Sequence, residues 1–378
     1  MAEVEPKYFF KQQRETAEIK AEILPRFFLS WSGAVLANQE PRLNPSILYL
    51  DLTAGQATAA SAQQPVSFDV LKKIYISTGA RYDLNAHVQT FLYDGKRANA
   101  SFLQTEIAGL PFYEELQQKP LFLFTPEGKA SLQETWHSQN AMFLAVDPFG
   151  NEYGRQVWLQ ALEKEHADFL MLFEARKMVS ALKNVSEGTA FSAFLGDRVA
   201  RIREFFLQHK QAGKREKFVL NCFSERIQEE GYHLSRFKVN VPGKDQASHY
   251  LLFVSKAENV HARFKELLLE YSDYQEDGVP LLGANLKPFR PILPEYFKYL
   301  EYSMVNLVED LSRSGNLYGS MSLEKIYERH GVGKPYSKEN YKTAVEKLKE
   351  QGKVIYLNPK TGQMVYKLAY GCRIKYKA

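Results

Sequence analysis

The stretch Ile47-Leu48-Tyr49-Leu50-Asp51-Leu52-Thr53-Ala54-Gly55 decides how the rest of the chain is read. Four consecutive apolar residues run into an acid, and a small-residue turn follows. A continuous apolar run of this length suits a strand buried on both faces, which is the environment of a parallel sheet covered by helices. The glycine suits a turn where the backbone approaches a ligand closely. In doubly wound sheets ligands sit beyond the carboxyl ends of the strands, so Asp51 and Gly55 become the first candidate binding residues.

Working outward, the same alternation repeats. Upstream, Ile19, Ile23, Leu24, Phe27 and Phe28 recur at three-to-four spacing and predict a helix over Arg14 to Leu29, with Thr16 as its cap. Downstream, a helix is expected over Val66 to Ile76, a strand over Val88 to Tyr93 and a helix over Ala98 to Ile107. Further strands are expected at Pro120 to Phe124, Ala141 to Val146 and Phe169 to Phe173, with a helix at Gln156 to Glu165. Strands alternating with helices of about ten residues indicate a mainly parallel sheet covered on both faces. Helices over Arg198 to His209 and Lys217 to Glu230 then lead to a pair of strands, Leu234 to Val241 and His249 to Ser255, joined by Pro242-Gly243-Lys244-Asp245. A parallel sheet that closes in a hairpin resembles the class I methyltransferase variant of the doubly wound α/β fold.

Six glycines and prolines between Asp277 and Pro294 mark an expected interdomain linker, residues 277–294, between a first domain (1–276) and a second (295–378). The second domain reads as helices over Glu295 to Ser312, Ser322 to His330 and Lys338 to Gln351, then two strands, Val354 to Leu357 and Met364 to Leu368. Three helices followed by a β-hairpin is the order of a winged helix.

Composition bounds the function. The chain has 378 residues, enough for two to three domains at about 150 residues each, and its hydrophobic fraction of 45% supports a sizeable core. No apolar run approaches the ~18 residues of a membrane span, and Met1-Ala2-Glu3-Val4-Glu5 lacks the basic start of a secretory signal. Two cysteines, Cys222 and Cys372, cannot build a disulfide framework, so a cytoplasmic location and no membrane are expected. The eight histidines show no metal-ligand spacing, and no Walker-type glycine-lysine loop is present.

The formal net charge of +5 is unevenly spread: from Lys334 onward eleven basic residues face three glutamates, a net +8, leaving −3 for the rest. A basic end on a near-neutral body suits nucleic acid, or else a lysine-rich solvated surface. Lys338, Lys342 and Lys349 on the third helix and Lys360 at the wing tip are the candidate phosphate contacts, with a protein-interaction winged helix as the alternative. No arginine lies on that helix, so bidentate reading of guanine is not expected.

Two further acids fall at strand ends. Asp94 follows the second strand, where a carboxylate can accept both hydroxyls of a ribose; Asp94-Gly95 is also a turn dipeptide. Asp147-Pro148-Phe149-Gly150 follows the fourth strand, where enzymes acting on exocyclic amines of bases place an acid-or-amide, prolines and an aromatic. Asp147 would accept from the amine and Phe149 would stack on the base; Asp-Pro-x-Gly is also a type I turn.

Several of these segments resemble the three-Cys-motif partner proteins of bacteria: Thr16-Ala17-Glu18-Ile19-Lys20, Tyr49 to Gly55, Val146 to Gly150 and His249 to Lys256. The resemblance implies a methyltransferase-like fold and a partner protein carrying a three-cysteine motif. It also implies S-adenosylmethionine as cofactor, with Asp51, Gly55 and Asp94 around it and Asp147 and Phe149 facing an amino group of a nucleic-acid base. Where the family has Phe-Ala-Gly-Pro-Gly, this chain has Thr53-Ala54-Gly55-Gln56-Ala57. That departure leaves open a second expectation, a methyltransferase-fold module that no longer turns over and docks a partner.

Overall fold

The apolar run Ile47–Asp51 forms strand β1, every residue of it buried. The computed structural model describes residues 5–37, 47–54, 66–95, 97–136, 140–291 and 293–377. Gly55 lies outside the described residues. Around β1 the chain divides into two compact units: a larger one, Gln13–Arg236 with Gln246–Lys256, and a smaller one, Met1–Gln12, Phe237–Asp245 and Ala257–Ala378.

In the larger unit, β1 lies between β2 (Val88–Leu92) and β4 (Ala141–Val146), parallel to both. The short β3 (Leu121–Phe122) extends the β2 side, and β5 (Ala167–Glu174) extends the β4 side, also in parallel. β7 (Ala247–Ser255) runs antiparallel to β5, and the order continues to β6 (His233–Asn240), giving 3-2-1-4-5-7-6. The expected mainly parallel sheet is therefore present, and it continues past β6 to one further short strand.

Both faces of this sheet are covered, which is why its strands read as unbroken apolar runs. The helix Thr16–Leu36 lays Phe27, Phe28 and Trp31 on one face, with ring centroids 4.9 Å apart for Phe27–Phe253 and Trp31–Phe143 and 4.8 Å for Phe28–Tyr49. Alternation sends Leu48, Leu50 and Leu144 to the other face, into a cluster with Trp158, Met178 and Phe223. Each such side chain contributes about 1.5–3 kcal/mol on burial. The helix begins one residue earlier than Thr16 would allow as a cap: Glu15 is the cap, and the Glu18 carboxylate accepts from its backbone N–H at 2.8 Å. Trp31 is fixed further by donating from Nε1 to Asp168 at 2.7 Å, and burial pushes that carboxyl up to about 6.

In the smaller unit, β8 (Gly283–Ala284) pairs in parallel with the second half of β6. The expected linker at 277–294 is thus a correction. Asp273 N–H donates to Gly283 O and Leu281 N–H to Asp273 O, both at 2.8 Å, while the Asp277 carboxylate accepts from Met304 N–H at 2.8 Å. Glycine and proline here shape a folded tongue, and the unit takes in the helix Glu258–Leu269 as well, so residue 276 is not its boundary.

The winged-helix order is observed as helices Met304–Arg313, Leu323–His330 and Lys338–Glu350, followed by β9 (Val354–Leu357), β10 (Met364–Val365) and β11 (Arg373–Tyr376). The expected long helix from Glu295 is broken at Ser303, whose hydroxyl caps the next helix by accepting from Asn306 N–H at 3.2 Å. β11 has no counterpart among the expected strands, yet it completes the sheet in the order β10-β9-β11. Leu307, Leu311, Ile326, Tyr341, Leu348 and Ile374 close its core.

Candidate functional site

Three acids stand at carboxyl ends of neighbouring strands. Asp51 ends β1 and pairs with Leu92 of β2 and Ala145 of β4, so Asp94 and Asp147 each lie two residues past the positions opposite it. Neighbouring strands are about 4.8 Å apart, which places all three on one rim. The loops that carry Asp94 and Asp147 also abut. A Cβ on Gly95 would lie 3.3 Å from Asn151 Cβ, and the Tyr93 and Tyr153 ring centroids are 4.4 Å apart. Asn151 caps the helix Glu152–Ala161 by accepting from Gly154 N–H, which sets the direction of that loop.

Asp51 has no exposed surface, and its charge is matched from within. Lys20 donates to both Asp51 oxygens at 2.8 Å and to the Thr53 carbonyl at 2.9 Å. Thr53 N–H and Oγ1 donate to Oδ1, each at 3.0 Å, and Ser67 Oγ and Tyr49 OH approach Oδ2 at 3.3 and 3.4 Å. A carboxylate offers about four lone-pair sites, so Asp51 has none left for a ligand's amine. The expectation that Asp51 touches a cofactor is corrected on that ground: it pins the turn through Thr53. Burial drives the Lys20 pKa down, opposed by Asp51 and by the field of Asp94. Lys20 was visible only as part of a motif. The signal that marks it is a lysine spaced three, four and seven residues from Ile23, Leu24 and Phe27, on the apolar stripe of a helix.

Beside this pair a cavity of about 20 Å³ lies between Lys20, Leu24, Thr53, Ala145 and Leu251. That volume suits a water or two, far below the ~300 Å³ at which ligand pockets begin. Farther along the rim Asp94 and Asp147 are themselves buried, 9% and 7% exposed.

Asp147 opens a hydrogen-bonded four-residue turn. Gly150 N–H donates to its carbonyl at 3.1 Å and Phe149 N–H to its Oδ1 at 2.9 Å. Arg155 locks the turn from outside, its Nε donating to Pro148 O at 3.1 Å. Burial raises the Asp147 carboxyl to about 6, against the lowering by the Phe149 hydrogen bond and by Lys177. Phe149 itself turns inward. Its ring lies 4.8 Å from Phe173 and 5.1 Å from Phe223, only 6% exposed. The expected stacking role is corrected accordingly, since the ring could meet a base only by leaving the core. Tyr93 and Tyr153, both partly exposed, are the aromatic groups actually at the rim.

The lysines of the smaller unit are less available than their spacing suggests. Lys338 is paired with Glu266 at 2.8 Å, and Lys349 donates to Tyr366 O at 2.8 Å while its ammonium lies 4.2 Å from the Tyr356 ring centroid. Lys342 stands 4.0 Å from Glu339 on the same helix. Lys360 is exposed at the wing tip, where the Asn358 side chain accepts from its N–H at 2.9 Å.

Residues 297–361 match the GMT-like wHTH domain. The three helices and the first wing strand lie within that match, so the winged helix-turn-helix of the smaller unit has support in both sequence and coordinates. No curated protein matches the chain. Among the described residues no helix is long and apolar enough to cross a membrane, and no group of three or more His, Cys, Asp or Glu could hold a metal ion. Cys222 and Cys372 are both buried and free.

Proposed function

We propose that the larger unit is a methyltransferase-type domain of the three-Cys-motif partner kind, using S-adenosylmethionine to modify an amino group of a nucleic-acid base. The observation that supports this reading is the strand order 3-2-1-4-5-7-6, extended by the short β8, with β7 antiparallel to β5; without β8 this is the order of class I methyltransferases, and it builds the rim described above. The residues fit the cofactor in part. Asp94 offers a carboxylate for ribose hydroxyls and Tyr93 an aromatic neighbour, whereas Asp51 is committed to Lys20 and can act only by fixing the turn. When bound, the cofactor would supply an electrophilic methyl group.

Asp147 is the residue we assign to the substrate. Its second oxygen can accept from an exocyclic amine and align the nitrogen lone pair; a neutral amine needs alignment rather than a strong base. The winged helix supports a nucleic-acid substrate, since that fold is widely used to hold one. A second reading, a non-catalytic docking module for a partner protein, is favoured by the Lys20–Asp51 pair, which removes the one acid nearest the first turn from ligand contact.

Calorimetric titration with S-adenosylmethionine tests the proposal. Binding is expected, lost in Asp94→Ala, and kept in Asp147→Ala while methyl transfer to single-stranded nucleic acid falls by 10²-fold or more, about the effect of losing a positioning group. Absence of heat at millimolar cofactor would remove the enzyme and leave the docking module.

A further inference from the structure

We infer that the smaller unit grips a single strand of nucleic acid on the outer face of its wing sheet rather than with its third helix. The inference rests on the nucleic-acid reading above and deepens it by naming the surface and the form of the ligand.

Charge comes first. On the third helix Lys338, Lys342, Lys347 and Lys349 alternate with Glu339, Glu346 and Glu350, and Lys338 is already neutralised by Glu266. A helix so nearly balanced is a poor partner for phosphate. Residues 351–378 are different: Lys353, Lys360, Lys367, Arg373, Lys375 and Lys377 occur there with no aspartate or glutamate among them. Such an unopposed set is complementary to a polyanion.

Register shows where these cations point. Residues directly opposite one another in a sheet share a face. Met364, Leu357 and Arg373 are mutually opposite across β10-β9-β11, and Lys375 is opposite Ile355. Val354, Tyr356 and Ile374 on the same strands are buried, so the Leu357 and Ile355 rows form the outer face. Arg373, Lys375 and Lys377 are exposed along β11 and just past it, while Lys360 and Lys367 are exposed on either side of β10. Exposed apolar surface accompanies these cations: Met364 is 55% exposed, and Tyr366, in the bend just past β10, is 83% exposed, with its ring centroid 5.9 Å from the Lys349 ammonium. A stacked duplex hides the faces of its bases. An unpaired strand presents them, and combining cations for phosphates with an aromatic platform for bases is how sequence-tolerant single-strand binders work.

The test is fluorescence anisotropy on the full chain, with a labelled twenty-nucleotide thymidine strand, a mixed-sequence duplex of equal length and phosphatidylserine vesicles as probes. The single strand is expected to bind more tightly than the duplex. An R373Q/K375Q/K377Q variant should weaken it by about tenfold or more and flatten the logarithmic salt slope by about 2, at roughly 0.7 per phosphate contact. Y366A should weaken it by about tenfold with the salt slope unchanged, the signature of a lost stack. K342Q/K347Q on the third helix should stay within twofold of the parent. Loss of binding in K342Q/K347Q with the sheet variants unaffected would overturn the surface assigned here and leave the nucleic-acid reading standing. Preference for the duplex with Y366A neutral would overturn the single-strand form. Vesicle binding that depends on the same cations, without strand binding, would overturn both in favour of a membrane surface. If the parent chain binds neither nucleic acid, the reading of the smaller unit falls and takes this inference with it.

Discussion

Replacing Lys20 by methionine removes one member of a fully buried ion pair while keeping most of the apolar stem that packs beside Ile23 and Leu24. Breaking such a pair from one side costs about 3–5 kcal/mol, because the other charge remains without its partner. Here the lower end applies. Asp51 keeps the donors Thr53 N–H, Thr53 Oγ1, Ser67 Oγ and Tyr49 OH, at 3.0 to 3.4 Å. We therefore expect a loss of about 3 kcal/mol, or roughly 6–12 °C in the melting temperature of a unit of this size. The measurement can be confined to the larger unit, because all three tryptophans, Trp31, Trp136 and Trp158, lie within Gln13–Arg236. Urea unfolding followed by tryptophan emission then reports this unit alone. One signature separates lost charge pairing from lost packing. The double variant Lys20→Met, Asp51→Asn should recover most of the loss, a coupling of about 2 kcal/mol. A Lys20→Met protein within about 1 kcal/mol of the parent, or strictly additive single and double variants, would refute the view that this pair organises the turn after β1.

Three further outcomes follow from other parts of the molecule. Asp147 titrates near 6 in the fold against 3.8 ordinarily, so its contribution is present below pH 4 and lost as pH rises through 6; Asp147→Asn should match the parent at pH 4 and exceed it by about 2–3 kcal/mol at pH 7.5 in urea titrations. Phe149→Ala should cost about 3–5 kcal/mol in tryptophan-monitored unfolding, as an aromatic removed from a packed core does; a loss below 1 kcal/mol would mean the ring is not held inside. Asp277→Ala should weaken the smaller unit by about 1–2 kcal/mol and speed amide exchange at Met304, since it removes an acceptor from a helix start; an unchanged exchange rate there would restore the linker reading of that segment.

How much of this was legible in the sequence depends on how local the signal was. β1, β4 and β7 are runs buried on both faces, so hydrophobicity alone marks them, and each was found within two residues. The short helix Ala190–Leu195 and strand β11 escaped because they are set by what they pack against: Ile374 alone of β11 is fully buried, and four residues with one apolar anchor carry no period. The segment 277–294 reads as a linker because glycine and proline report local bends, whereas the hydrogen bonds that the Asp273 and Asp277 carboxylates accept, from Leu286 and Met304 N–H, are tertiary.

The candidate site follows the same division, and it explains why three acids at neighbouring strand ends have three different fates. Position on the rim depends on strand length and order, which sequence pattern conveys; the state of each carboxylate depends on which side chain arrives from elsewhere. Asp51 meets an ammonium carried by a helix 31 residues upstream. Asp147 meets its own turn and the apolar wall under it, and Asp94 sits between Tyr93 and Gly95, which lie against Tyr153 and Asn151. The residue that settles the chemistry of the first acid is thus a lysine that hydrophobic patterning scores as a fault in an otherwise apolar helix face. A charged residue out of register with its helix is best read as one half of a pair, and the other half should be sought at a strand end that the same helix covers.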